Sequence, residues 1–372
     1  MNTALPSDTD NIVAALRQSN RVCEVTLYWD LGRQLEKALA QMQVSFPELT
    51  KLRLSSYGET PPVIPDSFLD GSAPRLRFFS LCGIRFPGLP KLLLSANHLV
   101  HLRLSNIPHS GYTSPEPMVA LLCALSSLEI LILVFQSRLD WESGSLLPPN
   151  RSVIPALRIF HFKGVIEYLE DLVTFIDAPQ LNILFITFFN QINFDTPRLA
   201  QFINRTPTLR VRDEAHVQID KESTSVALQE SDYSPLEINI SCSEPRWHLS
   251  SVAQVCNSSL HPLATVETLY IENQPWQPVR KTNDVENTPW LQLLLPFTAV
   301  KNLYLSKVFA PGIAATLQEL VGARITEVLP SLQNIFVEGL EPLGPVQESI
   351  GEFIAARQLS DHPIAISVWN QT

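Results

Sequence analysis

Two groups of residues have types and spacing that could carry chemistry: the run Asp213-Glu214-Ala215-His216 and the pair His98 and His101. An adjacent Asp and Glu can hold Mg²⁺ and orient the water that attacks a nucleotide phosphate, so a nucleotide-dependent enzyme working through Asp213–His216 is one reading. That chemistry also needs a phosphate-cradling G-x-x-x-x-G-K-[ST] loop, and none of the 13 glycines is followed by lysine. The run is therefore expected to be a polar strand and turn. Two histidines three apart make a metal pair on a helix, but these flank a predicted strand with no acidic or cysteine ligand nearby in sequence. No G-x-S-x-G or H-E-x-x-H motif occurs. The expectation is a chain that is not an enzyme and has no catalytic residues, metal or cofactor.

Bulk properties narrow the class further. The 372 residues are 45% hydrophobic, ample for a core, and 27 Lys and Arg against 37 Asp and Glu leave a net charge of −10. Phosphate backbones call for a basic surface, so nucleic acid is not an expected partner. The apolar window Leu172–Phe189 is interrupted by Asp177 and Pro179, and no membrane span is expected. Met1–Asn11 is polar and acidic and does not read as a secretion signal. The five cysteines (Cys23, Cys82, Cys123, Cys242, Cys256) are scattered, odd in number and without a C-x-x-C pair, which fits a reducing compartment, cytoplasmic or nuclear.

The elements that position any solvent-facing group follow from one spacing. In Ala96–Ile107, Leu99, Leu102 and Leu104 stand as L-x-x-L-x-L. A strand points alternate side chains to one face, so Leu102 and Leu104 go inward while His101, Arg103 and Ser105 go outward. The spacing recurs at Val22/Val25/Leu27, Leu49/Leu52/Leu54, Leu76/Phe79/Leu81, Leu128/Leu131/Leu133, Leu157/Phe160/Phe162 and Leu181/Leu184/Ile186. After a degraded copy near Leu209 it returns at Tyr233/Leu236/Ile238, Val266/Leu269/Ile271, Val300/Leu303/Leu305 and Leu332/Ile335/Val337, with successive starts 23 to 34 residues apart. Pro47, Pro74, Pro155, Pro179, Pro207 and Pro330 each sit two residues before a leading Leu. Proline ends a preceding helix and favours extended backbone, so a second signal keeps phase with the first.

This pattern looks like an α/β leucine-rich-repeat solenoid, an irregular, ribonuclease-inhibitor-like horseshoe with a parallel sheet on the concave face and helices or loops on the convex face. The position three after the last Leu, usually Asn or Cys in that family, holds Tyr57, Ile84, Ile107, Gln136, Val165 and Phe189, so its regular capping ladder is not expected. Stacked units share one core, which predicts a single domain: about 12 irregular repeats over residues 1–345, then a cap made of helix Val346–Leu359 and strand Ile364–Trp369 within 346–372. Helices are predicted at Asn11–Leu16, Arg33–Gln43, Val165–Ile176, Arg246–Val255 and Ile313–Val328. Ser114-Pro115, Thr196-Pro197 and Thr288-Pro289 read as further starts, each an N-cap residue before proline. The first strand is predicted at Arg21–Tyr28. Two long polar connections, Asp140–Arg151 and Asn273–Asn287, stand out; Trp276 in the second either anchors a partner or folds back on the repeats.

Outward-facing strand positions give a candidate partner-binding concave face: Lys51, Arg53, His101, Arg103, His161, Lys163, Phe185, Tyr270, Glu272, Tyr304 and Phe336. Its chemistry is graded from basic, through apolar Ile130, Ile132, Val134 and Ile183, to aromatic and acidic, which suits a protein partner. The strand Leu128–Phe135 is apolar on both faces, so its outer face is either exposed or covered by a neighbouring segment. Alanine at both Tyr270 and Tyr304 is expected to weaken partner capture with little change in melting temperature.

Asp10-Asn-Ile-Val-Ala-Ala-Leu16, Arg21-Val-Cys-Glu-Val-Thr-Leu27 and Leu35-Glu-Lys-Ala-Leu-Ala-Gln-Met-Gln-Val-Ser-Phe-Pro47, with Asp213-Glu-Ala-His216, resemble fungal (basidiomycete) F-box-type proteins with degenerate leucine-rich repeats. The resemblance is one of pattern over essentially the whole chain. It implies a non-enzymatic protein-interaction scaffold akin to the substrate-recognition repeats of a ubiquitin ligase. In that family an F-box ahead of the repeats docks a Skp-type adaptor. Here Leu5-Pro6 leads directly into the repeats, so the F-box itself, and adaptor docking with it, is not expected. The alternative is a stand-alone leucine-rich-repeat regulator unrelated to ubiquitin.

Overall fold

A computed structural model describes residues 6–29, 32–58, 60–108, 114–137, 151–189, 194–210, 212–230, 233–241, 248–273, 287–320, 322–340 and 344–369. Nearly all of the two long connections, with Trp141 and Trp276, lies outside them. The chain forms two compact units, Met1–Leu181 and Asn182–Thr372.

In the first unit helix α1 (Pro6–Leu16) leads to β1 (Glu24–Trp29), α2 (Gly32–Gln41), β2 (Lys51–Ser56) and β3 (Phe78–Cys82). There follow α3 (Leu89–Ser95), β4 (His101–Ile107), α4 (Pro115–Ala124), β5 (Ile130–Phe135), β6 (Ser152–Val153), β7 (Ile159–Gly164), α5 (Ile166–Phe175) and β8 (Ile176–Asp177). Strands β1, β2, β3, β4, β5 and β7 pair in parallel in that order; β6 and β8 form a separate small parallel pair. The register aligns the leucine positions of successive repeats: Val25 with Leu52, Phe79, Leu102, Leu131 and Phe160, and Leu27 with Leu54, Leu81, Leu104, Leu133 and Phe162. All are buried except Leu27, which is half-buried at the edge.

The leading leucine of each repeat enters from a tight turn. Leu49, Leu76, Leu99, Leu128, Leu157 and Leu181 are buried, and each donates its N–H to the carbonyl three residues earlier (Phe46, Ala73, Ala96, Leu125, Ile154 and Ala178). That bond closes one 3₁₀ turn, which is why x-Pro-x-Leu recurs before the strands. A buried Leu or Phe contributes about 1.5–3 kcal/mol, so the aligned rows hold the strands in place. Where related repeats carry a polar ladder, this unit has apolar packing: Ile84, Ile107 and Val165 are buried, with Phe135 and Tyr168 in edge contact at 4.8 Å.

The second unit runs β9 (Ile183–Phe188), α6 (Pro197–Arg205), β10 (Glu214–Ile219), β11 (Ser223–Glu230), β12 (Tyr233–Ser241) and α7 (His248–Ser259). It continues through β13 (Thr268–Glu272), α8 (Asn287–Leu294), β14 (Asn302–Leu305), α9 (Ala310–Gln318), β15 (Asn334–Glu338), α10 (Pro345–Leu359) and β16 (Ala365–Trp369). Its strand order is β9-β12-β11-β10-β13-β14-β15-β16. The degraded repeat becomes a reversal. Strand β10 lies parallel to β13, β12 lies parallel to β9, and β11 is antiparallel to both of its neighbours. Ala215 and Val217 occupy the leucine positions of β10, aligned with Leu269 and Ile271. From β13 to β15 the ladder resumes, Leu269–Leu303–Ile335 and Ile271–Leu305–Val337, all buried. The terminal helix and strand occur as expected, with β16 paired to β15.

The fold is thus an α/β leucine-rich-repeat fold built on mainly parallel strands. Several boundaries differ from the sequence reading. Arg21 closes a 3₁₀ turn, Ser19–Arg21, so β1 starts at Glu24. The helix expected to reach Val328 stops at Gln318, and a separate 3₁₀ segment, Gly322–Thr326, follows. Ser114 and Thr196 precede Pro115 and Pro197 at the starts of α4 and α6, but neither side chain makes the capping hydrogen bond. Helix α8 begins at Asn287, one residue ahead of Thr288.

Candidate recognition faces on the strands

Because side chains alternate, the residues between the buried positions form in-register rows on the other face of each unit. In the first unit one row is Glu24–Lys51–Phe78–His101–Ile130–Ile159, and the next is Thr26–Arg53–Ser80–Arg103–Ile132–His161. Lys163 lies beyond them, paired with Val134. Ile130, Ile132 and Val134 are half-buried, as ladder neighbours are, whereas Arg103 is exposed.

Positive charge gathers here around Phe78. The Arg53 guanidinium lies 5.2 Å from its ring centroid and the Lys51 ammonium 6.0 Å, while His101 packs against it at 4.4 Å. Lys51 pairs with Glu24 at 3.2 Å. Arg53 donates to the Tyr28 hydroxyl (3.1 Å), and Arg103 donates through Nε to Ser105 (3.2 Å). Burial first, then Arg103 and Arg53, hold the His101 imidazole below its ordinary pKa. Burial, then Arg103 and Lys163, do the same for His161. Desolvation and like charge both disfavour the imidazolium.

The second unit presents an aromatic row. His216 stacks on Tyr270 (4.3 Å, 9° between planes), Tyr270 on Tyr304 (4.5 Å, 18°) and Tyr304 on Phe336 (4.4 Å, 10°). The pairings place these four residues opposite one another across β10, β13, β14 and β15. From β16, Trp369 meets Tyr304 edge-on at 5.4 Å and Tyr270 at 6.3 Å. Carboxylates flank the row. Glu272 lies 3.8 Å from Nδ1 of His216, an ion pair when the imidazole is protonated. Burial, then Glu214, Tyr304 and Glu272, push the Tyr270 phenol up to about 12. In the opposite direction from His216 come Ala227, Glu237 and Phe185, and burial pushes the Glu237 carboxyl up.

All eleven residues of the sequence-derived face occupy these outward positions: Lys51, Arg53, His101, Arg103, His161 and Lys163 in the first unit, and Phe185, Tyr270, Glu272, Tyr304 and Phe336 in the second. Ile183 shares the face of Phe185 by alternation and is buried at the start of β9. Sequence reasoning left out His216 and Trp369. The signal for His216 was there, since Ala215 and Val217 are the inward pair of a weak repeat. For Trp369 it was not, because its neighbours depend on the register of β16. The acidic run is a strand: Ala215 is buried, Glu214 and His216 face outward, and the Asp213 carbonyl accepts the N–H groups of Glu267 and Thr268, both at 2.9 Å. Among the described residues no group of three or more His, Cys, Asp or Glu could hold a metal ion, and no helix is long and apolar enough to cross a membrane. Cys23, Cys82, Cys123 and Cys256 are free thiols.

Repeats that turn alternate strand residues outward define the leucine-rich-repeat class. No family model matches the chain, and no curated protein matches it by sequence. Among solved structures it is similar to the leucine-rich repeat-containing protein LegL7 from Legionella pneumophila, at 14% identity and a TM-score of 0.33, over 89% of this chain and 96% of that one. So distant a likeness adds nothing to the assignment, which rests on the strand pairings themselves.

Proposed function

We propose that the chain is a non-enzymatic interaction scaffold that takes a protein partner on its strand faces. One observation carries this reading. Outward residues from six strands of the first unit and four of the second align into continuous rows, cationic in one and aromatic with flanking carboxylates in the other. Rows of this kind offer apolar and aromatic anchors with charges beside them, the composition of protein interfaces. The resemblance to F-box-type repeats adds a finer proposal, selection of a substrate for a ubiquitin ligase in the cytoplasm or nucleus.

The test is site-specific photo-crosslinking. A benzophenone side chain is placed at Arg103 or Tyr304 on the strand faces, and at exposed Lys91 on α3. Adducts from cell extract should form at the two strand positions and be sparse at Lys91. Equal yields at all three would overturn the reading. Recovery of a Skp-type adaptor among the adducts or co-purifying proteins would support the ligase version and overturn the expectation that adaptor docking is absent.

A further inference from the structure

Within the first unit's face, Arg53 and Arg103 are each paired in register with Ser80, one on either side. Neighbouring strands lie about 4.7–4.9 Å apart, so the two arginines flank a gap of roughly two strand spacings. Its floor is the small, buried Ser80. Both guanidinium groups are steadied by neutral oxygens, on Tyr28 and Ser105, which leaves further N–H groups to donate. The one carboxylate in these two rows, Glu24, is held by Lys51. Beside the gap, Nε2 of His101 is buried without a hydrogen-bond partner among the described residues. The chain has 37 acidic residues, yet no ion pair neutralises Arg53 or Arg103 among the described residues. Burial foremost, and the nearby cationic side chains after it, lower the pKa of His101 and His161. Along the same rows the face then turns apolar, at Ile130, Ile132 and Ile159.

We propose that the gap over Ser80 seats a carboxylate from an acidic segment of a partner protein, bridged by Arg53 and Arg103, with the segment's following apolar side chains lying along Ile130 and Ile132. This rests on the scaffold reading above and names the chemistry of its partner. Two guanidinium forks match the two oxygens of one carboxylate. The apolar continuation favours a polypeptide over a small anion.

The test uses the full chain and a fluorescein-labelled peptide carrying Glu followed by alternating Ile and Gly, with binding read by fluorescence polarisation at low salt. Saturable binding is expected. It should weaken at least tenfold when the peptide Glu becomes Gln, or in R53Q/R103Q, and stay unchanged in Y270F/Y304F. Equal binding of the Gln peptide, no saturable binding, or tighter binding of a phosphoserine version would each overturn the assignment. Should R53Q/R103Q not fold, histidine titration of the wild-type chain by NMR decides: bound peptide raises the pKa of His101 and His161, and unmoved values overturn the proposal. Strand-face adducts in the crosslinking experiment do not depend on this peptide, so failure here and failure of the scaffold reading remain distinguishable.

Discussion

Replacing both Tyr270 and Tyr304 by alanine will destabilise the second unit, against the expectation from sequence that the melting temperature would hardly move. The two rings take part in five aromatic pairs: with each other, His216–Tyr270, Tyr304–Phe336, and Trp369 with both. Such a pair contributes about 0.5–1.5 kcal/mol beyond the area it covers. Both tyrosines are half-buried, so the lower end applies, and the double variant should lose about 3 kcal/mol. A unit of this size shifts by roughly 2–4 °C per kcal/mol, which predicts a fall of about 6–12 °C by calorimetry or circular dichroism. Y270F/Y304F keeps every ring and removes only the hydroxyls, so its melting temperature should stay within about 2 °C of wild type. Neighbouring sites do not add simply, and each single alanine variant should cost more than half of the double, because either one already breaks the stack. A double-alanine variant melting within 2 °C of wild type would refute the stacking argument.

Three further outcomes follow from named groups. His101 and His161 have depressed pKa values in the folded chain, so the unfolded chain binds more protons just below pH 6.5 and stability must fall on acidification through that range; thermal melts of H101N/H161N from pH 7 to 5 should therefore decline less than wild type, and parallel declines would contradict the assignment. For Tyr270 the sign is reversed, since its raised pKa keeps the proton on in the folded state; its share of stability is complete below pH 10 and lost as pH rises toward about 12, so alkaline difference spectra should show one more late-ionising phenol in wild type than in Y270F. Gly83→Ala combines a φ of +65° with a Cβ 2.2 Å from the Ser56 carbonyl oxygen, backbone that cannot step aside. A loss of about 3 kcal/mol or more is expected by denaturant titration, and a loss under about 1 kcal/mol would be inconsistent with that turn.

The leucine rows were legible because their signal is local. Leu102 and Leu104 are two apart, Leu99 is three earlier, and the buried face follows from strand alternation with no knowledge of neighbours. The outward face was legible for the same reason, and Arg53, Arg103, Tyr270 and Tyr304 stand where that alternation puts them. What resisted was lateral. Ala215 and Val217 fill leucine positions with side chains too weak to declare a repeat, and the antiparallel placement of Ser223–Glu230 depends on partners outside its own stretch. The cost of removing a ring was also hidden, because sequence tells which way Tyr304 points and not that Tyr270, Phe336 and Trp369 lie against it.

The claim on which everything else depends is that inward and outward residues alternate along each strand in both units. Hydroxyl-radical footprinting of the full chain, with each residue's oxidation rate normalised to its rate in the unfolded chain, tests it without any substitution. Leu102, Leu104, Leu303 and Leu305 should be strongly protected, and their neighbours Arg103 and Tyr304 oxidised at a substantial fraction of the unfolded rate. Leucines oxidised as readily as those intervening residues would contradict the account.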